Sequence, residues 1–200
     1  SIDSKFSTLL IKATGAKISG DLYVADSLYK KCLELNPNSG VINFELSGIY
    51  RSKEEFKKAI EFAELAVEAS PQNEWYLAHL ALLYNENKYY NKSSITFRKL
   101  IKIKPEKISY LFSLTEAYLS ANKVNKALKT LLLIENKIGI NEDISIQKHQ
   151  LYAFINKRKK ALKELEKLVL EFPENLRNLG LLAEYYESLN KKEESLDLLI

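Results

Sequence analysis

The chain has 200 residues, with 30 Lys and Arg against 26 Asp and Glu and a formal net charge of +4. That mild excess is spread along the chain as a mixed-charge, solvated surface and falls short of the footprint of a nucleic-acid binder. The single cysteine, Cys32, excludes an internal disulfide, and there is no run of about 18 apolar residues to span a membrane.

Residues 1–5 read as a short lead-in, followed by a unit of about 34 residues that recurs with drift. The clearest copy is 40–73. Ile42, Leu46, Ile49 and Tyr50 recur at helical spacing in its first half, and Phe56, Ala59, Ile60, Ala63, Ala66 and Val67 do so in its second. Between them Ser52 and Glu55 predict a capping box. Pro71 ends the second helix, since it lacks an N–H and drives Ser70 out of the α region. One such hairpin buries only half of its apolar surface and needs a neighbour.

The register supplies the neighbours. Pro37, Pro71, Pro105 and Pro173 are separated by one, one and two lengths of this unit, and the same step taken from Ala16 meets Tyr50, Tyr84, Tyr118, Tyr152 and Tyr186. Steps from Ala25 meet Ala59, Ser93, Ala127, Ala161 and Ser195, all small. Steps from Cys32 meet Ala66, Leu100, Ile134 and Leu168, all apolar. Small residues suit the close approach of two helices, large ones the interlocking of adjacent hairpins. Tyrosine packs its ring while its hydroxyl reaches an edge. The predicted hairpins are 6–39, 40–73, 74–107, 108–141, 142–175 and 176–200, the last incomplete, so that Leu196, Leu199 and Ile200 are expected to be left without a following repeat. Three departures stand out. Gly139 ends its helix where a proline is due, Lys148 and His149 sit where other units carry Leu46 and Ser47, and the fifth inter-helix turn is the basic run Lys157 to Lys160. The fifth hairpin is therefore expected to pack less regularly.

On these residues the chain resembles the tetratricopeptide repeats, with Gly20-Asp21-Leu22, Ala25, Tyr29, Cys32 and Asn36-Pro37-Asn38 matching the family's second-helix pattern. The resemblance covers nearly the whole chain. It implies an all-α, right-handed superhelical solenoid, 1–200 forming one array, with a concave groove lined mainly by the first helix of each repeat. Strings such as NEWYLAHLALLY resemble segments of long multi-repeat proteins of Bacteroidetes-type bacteria, several of them exported. The chain begins at Ser1 with no leader and is expected to be an excised piece, so its compartment stays open between cell envelope or periplasm and cytoplasm.

Chemistry-bearing patterns are sparse. His79 and His149 lie in different repeats with no metal-binding spacing. His79 is expected on a helix surface and His149 between helices. No glycine-rich phosphate loop occurs among six glycines, so no enzyme, metal or cofactor is expected. The basic run with Lys163 and Lys167 alternates with Glu164 and Glu166 and has no aromatic platform, which argues against nucleic acid. Some tetratricopeptide domains grip a chaperone's C-terminal carboxylate with lysines, asparagines and an arginine. The matching places here hold Leu10 and Thr14, Glu45, and Trp75 and His79, so that mode is not expected.

The resemblance instead places Leu10, Lys17, Phe44, Arg51, Trp75, Ala78, Leu82, Asn85, Phe112, Glu116, Ile146 and Gln150 along the groove. Phe44, Ala78, Phe112 and Ile146 are successive equivalents. Trp75 beside the small Ala78 has the form of an interface anchor; folding down as core is the competing outcome. The function expected is a noncatalytic scaffold for a partner peptide or protein segment. The alternatives are an assembly element working end to end through its open repeats, and a regulatory appendage of a larger protein.

Overall fold

The computed structural model describes the backbone of residues 2–197 and the side chains of residues 3–195. Among the described residues there are twelve helices and no strand: α1 (Ile2–Ile18), α2 (Leu22–Leu35), α3 (Gly40–Ser52), α4 (Phe56–Ala69), α5 (Glu74–Glu86), α6 (Tyr90–Ile103), α7 (Ile108–Ser120), α8 (Val124–Ile138), α9 (Glu142–Phe154), α10 (Arg158–Glu171), α11 (Leu176–Ser188) and α12 (Lys192–Asp197). They form two compact units, one ending at Tyr110 and one beginning at Leu111.

Every first helix ends by one device. Gly20, Glu54, Lys88, Asn122, Asn156 and Asn190, one in each repeat, all have positive φ, between 55° and 83°. The residue after each donates its N–H to the carbonyl five back, as in Glu55 to Tyr50 at 2.9 Å and Lys157 to Tyr152 at 2.8 Å. This is the Schellman closure, which satisfies carbonyls orphaned at the helix end. It also corrects the capping box expected from Ser52 and Glu55. Ser52 is the last residue of α3 and its hydroxyl donates back to the Gly48 carbonyl at 3.0 Å, while Glu55 precedes α4 without a side-chain cap. The left-handed turn at Glu54 sets the geometry there.

Second helices stop at the residue expected. Asn36, Ser70, Lys104 and Phe172, each preceding a proline, have left the helical region, with φ from −146° to −127° and ψ from 66° to 85°. Gly139, at φ 83°, does the same without proline. The next first helix is then capped by a side chain at one repeat position: Ser39, Asn73, Asn141 and Asn175 accept from backbone N–H groups one turn on. Lys107 holds that position ahead of α7.

The core follows the columns. Ala25, Ala59, Ser93, Ala127, Ala161 and Ser195 are buried, as are Cys32, Ala66, Leu100, Ile134 and Leu168, and Tyr50, Tyr84, Tyr118 and Tyr152. Burial raises the Cys32 thiol pKa. In the first unit one cluster joins Ala13, Tyr29, Ile42, Leu46, Tyr50, Ile60, Leu80 and Tyr84. In the second, Leu128, Tyr152 and Ala161 pack with Leu151 and Tyr185. At one repeat position after each of four tyrosines stands a lysine, Lys58, Lys92, Lys126 and Lys160, with its Nζ over that ring at 5.1, 5.1, 5.7 and 5.7 Å. Each pairing covers an aromatic face with a cation whose charge stays in water. Leu199 and Ile200, and the side chain of Leu196, lie outside the described residues.

Candidate functional site

In the first unit the first helices α1, α3 and α5 are tied by ion pairs. Lys17 donates to Glu45, and Arg51 donates to both carboxylate oxygens of Glu86, through Nε at 3.0 Å and through Nη2. Lys17 and Arg51, expected along the groove, are thus engaged within the chain. Phe44 is half-buried, its ring centroid 5.2 Å from Tyr76 and 5.1 Å from His79, and Leu10 packs against the core. These two fill space between helices.

The exposed ridge lies on α5. Trp75 is 71% exposed and Leu82, two turns on, 44% exposed, with half-buried Ala78 between them and half-buried Asn85 beyond. Trp75 has not folded down as core. The reason is local: Asn73 caps the helix by accepting from the N–H groups of Trp75 and Tyr76, and Tyr76 takes the inward direction. Asn85 leaves its side-chain carbonyl buried without a hydrogen-bond partner. At the N-terminal end of the ridge, Glu74 accepts from Lys107 and from the Tyr110 hydroxyl at 2.6 Å, and Lys104 lies 4.0 Å from its other oxygen. The bonds from Lys107 and Tyr110 hold the Glu74 carboxyl below its usual range. Lys107 Nζ stands 5.7 Å from the centroids of both Trp75 and Tyr110.

In the second unit Phe112 is 45% exposed on α7 and Glu116 is exposed, while on α9 Ile146 is half-buried and Gln150 exposed. The fifth hairpin keeps the common turn and gains a charge network. Lys148, fully buried on α9, places Nζ 2.7 Å from Glu135 on α8 and 2.7 Å from Glu164 on α10, the latter an ion pair without hydrogen-bond alignment. Lys167 reaches the same two carboxylates at 2.6 and 3.0 Å. Burial opposes charge on Glu135, but the bonds from Lys148 and Lys167 outweigh it and lower its pKa. Burial likewise opposes charge on Lys167, and its bonds to Glu135 and Glu164 raise it to about 12. Lys148 was visible in the sequence as a departure. Glu135 and Glu164 were missed, although Glu135 shares its column with Leu33, Val67, Ile101 and Val169.

The histidines join helices. His79 is not on the surface as expected, because Ser47 donates its hydroxyl to the Ala59 carbonyl at 2.7 Å and so accepts from His79 Nε2 at 2.7 Å. Burial and then Arg51 push its pKa down. His149 Nδ1 donates to the Ala161 carbonyl at 3.0 Å and its ring meets Tyr185 edge-on at 4.6 Å. The run Lys157 to Lys160 is exposed, with Lys160 turned over Tyr152. Among the described residues no group of His, Cys, Asp and Glu could hold a metal ion, and no helix is long and apolar enough to cross a membrane.

The tetratricopeptide repeat model matches residues 42–73 and again 76–107, in register with the hairpins α3–α4 and α5–α6. These two hairpins are tetratricopeptide repeats. Tetratricopeptide proteins share the fold of the chain. A tetratricopeptide repeat protein from Parabacteroides merdae is 17% identical with a TM-score of 0.66, over 98% of this chain and 77% of that one. YrrB, a TPR protein with an unusual peptide-binding site, is 18% identical with a TM-score of 0.65, over 86% and 89%. The structure of Naa15/Naa10 bound to HypK-THB gives a TM-score of 0.78 at 21% identity over 96% of this chain, which spans only 30% of the matched chain. No curated protein matches the sequence. The tetratricopeptide fold is generally a non-enzymatic scaffold for protein partners.

Proposed function

We propose that this tetratricopeptide chain is a noncatalytic scaffold, a single array of six hairpins with the last incomplete, whose first-helix face takes an extended or helical segment of a partner protein. The observation that carries the reading is the ridge on α5. Trp75 and Leu82 are exposed two helical turns apart with the small Ala78 between them, the form of an aromatic anchor beside a dip. The cross-helix pairs Lys17 to Glu45 and Arg51 to Glu86 link the first helices around it. In the second unit Phe112, Glu116, Ile146 and Gln150 are the corresponding first-helix positions and are assigned the same role. YrrB, with its peptide-binding site, is a precedent among similar folds. Captured chaperone tails, nucleic acid and cofactors have no place in this reading.

The test is selection of peptides from a random display library on the immobilised chain. Selected peptides are expected to lose about 30-fold in affinity on Trp75→Ala, and none on Leu170→Ala, an exposed residue of α10. Equal loss from both variants, or from neither, contradicts the assigned face.

A further inference from the structure

The corner formed by Glu74, Trp75, Lys107 and Tyr110 breaks a local rule that four other repeats obey. At the position ahead of each first helix, Ser39, Asn73, Asn141 and Asn175 cap the helix with a side-chain oxygen. Lys107 has no such oxygen, and its positive charge stands at the end of α7 where the helix dipole disfavours it. The lysine is used differently. Its ammonium donates to Glu74 and lies 5.7 Å from the centroids of Trp75 and Tyr110, while the Tyr110 hydroxyl donates to the same carboxylate oxygen at 2.6 Å. A second copy of the pair serves as a control. Glu142, two repeats on from Glu74, meets the capping Asn175 at 3.3 and 3.4 Å, and Asp143 stands in the place of Trp75. The glutamate recurs there, whereas the lysine and the tryptophan belong to this corner.

We propose that Glu74, Trp75 and Tyr110 form a recognition site for an arginine side chain of the partner segment, held in the free chain by the chain's own Lys107. The proposal rests on the first-helix face described above and names the chemistry of one end of it. Lys107 marks where a cation sits: against a carboxylate and 5.7 Å from the centroids of two rings. An exposed lysine pair of this kind is screened by solvent and adds little, so it yields readily. An arginine gains what lysine lacks, because its planar fork spans both oxygens of a carboxylate and its face stacks on an indole. Among the described residues the second oxygen of Glu74 has only Lys104, at 4.0 Å, and the Trp75 ring is open to solvent. Lys107 therefore acts as an internal competitor that sets a threshold for binding.

Trp75 is the sole tryptophan, so its fluorescence reports the site directly. N-acetyl-arginine methylamide is titrated against the parent chain, Lys107→Asn and Glu74→Gln, with the uncharged N-acetyl-citrulline methylamide alongside. Lys107→Asn restores the capping residue of the other repeats and removes the competitor. It is expected to bind the arginine probe at least about 5-fold tighter than the parent, and Glu74→Gln, with an unchanged circular dichroism spectrum, is expected to lose the response. A citrulline probe that binds as well as arginine, or Lys107→Asn with no gain, overturns the proposal. Failure here while Trp75→Ala still abolishes binding of selected peptides removes the arginine chemistry and leaves the face standing. A normal arginine response with peptides indifferent to Trp75 removes the face instead.

Discussion

Lys148 is a charge in a place where four other repeats keep leucine, at Leu46, Leu80, Leu114 and Leu182. Lys148→Leu removes the fully buried ammonium and leaves Glu135 and Glu164, each 12% exposed at the side chain, sharing Lys167 alone. Removing one partner of a buried ion pair costs about 3–5 kcal/mol. Leucine regains about 1 kcal/mol, since the lysine stem already buries its methylenes. The net expectation is a loss of about 2–4 kcal/mol at neutral pH, read as a fall of about 1–2 M in the urea midpoint. The loss should be conditional on charge. The Glu135 carboxyl titrates lower folded than unfolded, so its contribution is complete above the ordinary value near 4.5 and is lost as pH falls through the lowered one. The Lys167 contribution is complete below its ordinary value and is lost as pH rises towards about 12. The gap between parent and variant should therefore narrow in acid. Replacing all three, Glu135→Val with Lys148→Leu and Glu164→Thr, restores residues found in the same columns and should equal or exceed the parent in stability. A single Lys148→Leu variant as stable as the parent at neutral pH, or a gap that does not change with acid, refutes the reasoning.

Two further predictions concern the repeat itself. Tyr84→Ala, at a buried column position, should destabilise the chain by about 3–5 kcal/mol in denaturant melts, and a loss under about 1 kcal/mol would show that the tyrosine column does not carry the core. Lys88 holds φ 63° where four of the other five turns use Gly20, Asn122, Asn156 and Asn190. Lys88→Asn relieves a strained left-handed residue and should stabilise by about 0.5 kcal/mol, and a lower thermal midpoint would contradict the turn assignment.

The fold was legible because stacking imposes one spacing on residues that differ in kind. Proline, tyrosine and small-residue columns all share the same step, and each marks a different demand: a helix end, an interlocking ring, a close approach. The left-handed column was harder to see, since Glu54 and Lys88 sit in it beside glycine and asparagine, and charge at a turn reads as solvation. Ser52 and Glu55 were misread for the same reason, as they fit a capping pattern while backbone geometry at Glu54 decided the turn. Of the site, the family resemblance put Trp75 and Leu82 on the groove face, and sequence left open whether Trp75 folds down as core. That Phe44 would be taken up by Tyr76 and His79, and that Lys17 and Arg51 would be spent on Glu45 and Glu86, depends on side-chain reach between helices. So does the grouping of Glu135, Lys148, Glu164 and Lys167. Sequence shows each as a polar residue in an apolar column, and only packing shows that they answer one another.

Acrylamide quenching of Trp75 reads whether, as proposed, a partner segment lies on the ridge of α5. The free chain should be quenched nearly as well as an exposed indole, in keeping with 71% exposure, and saturation with a selected peptide should shield the ring and lower the quenching constant several-fold. A tryptophan equally accessible with and without bound peptide would contradict the account.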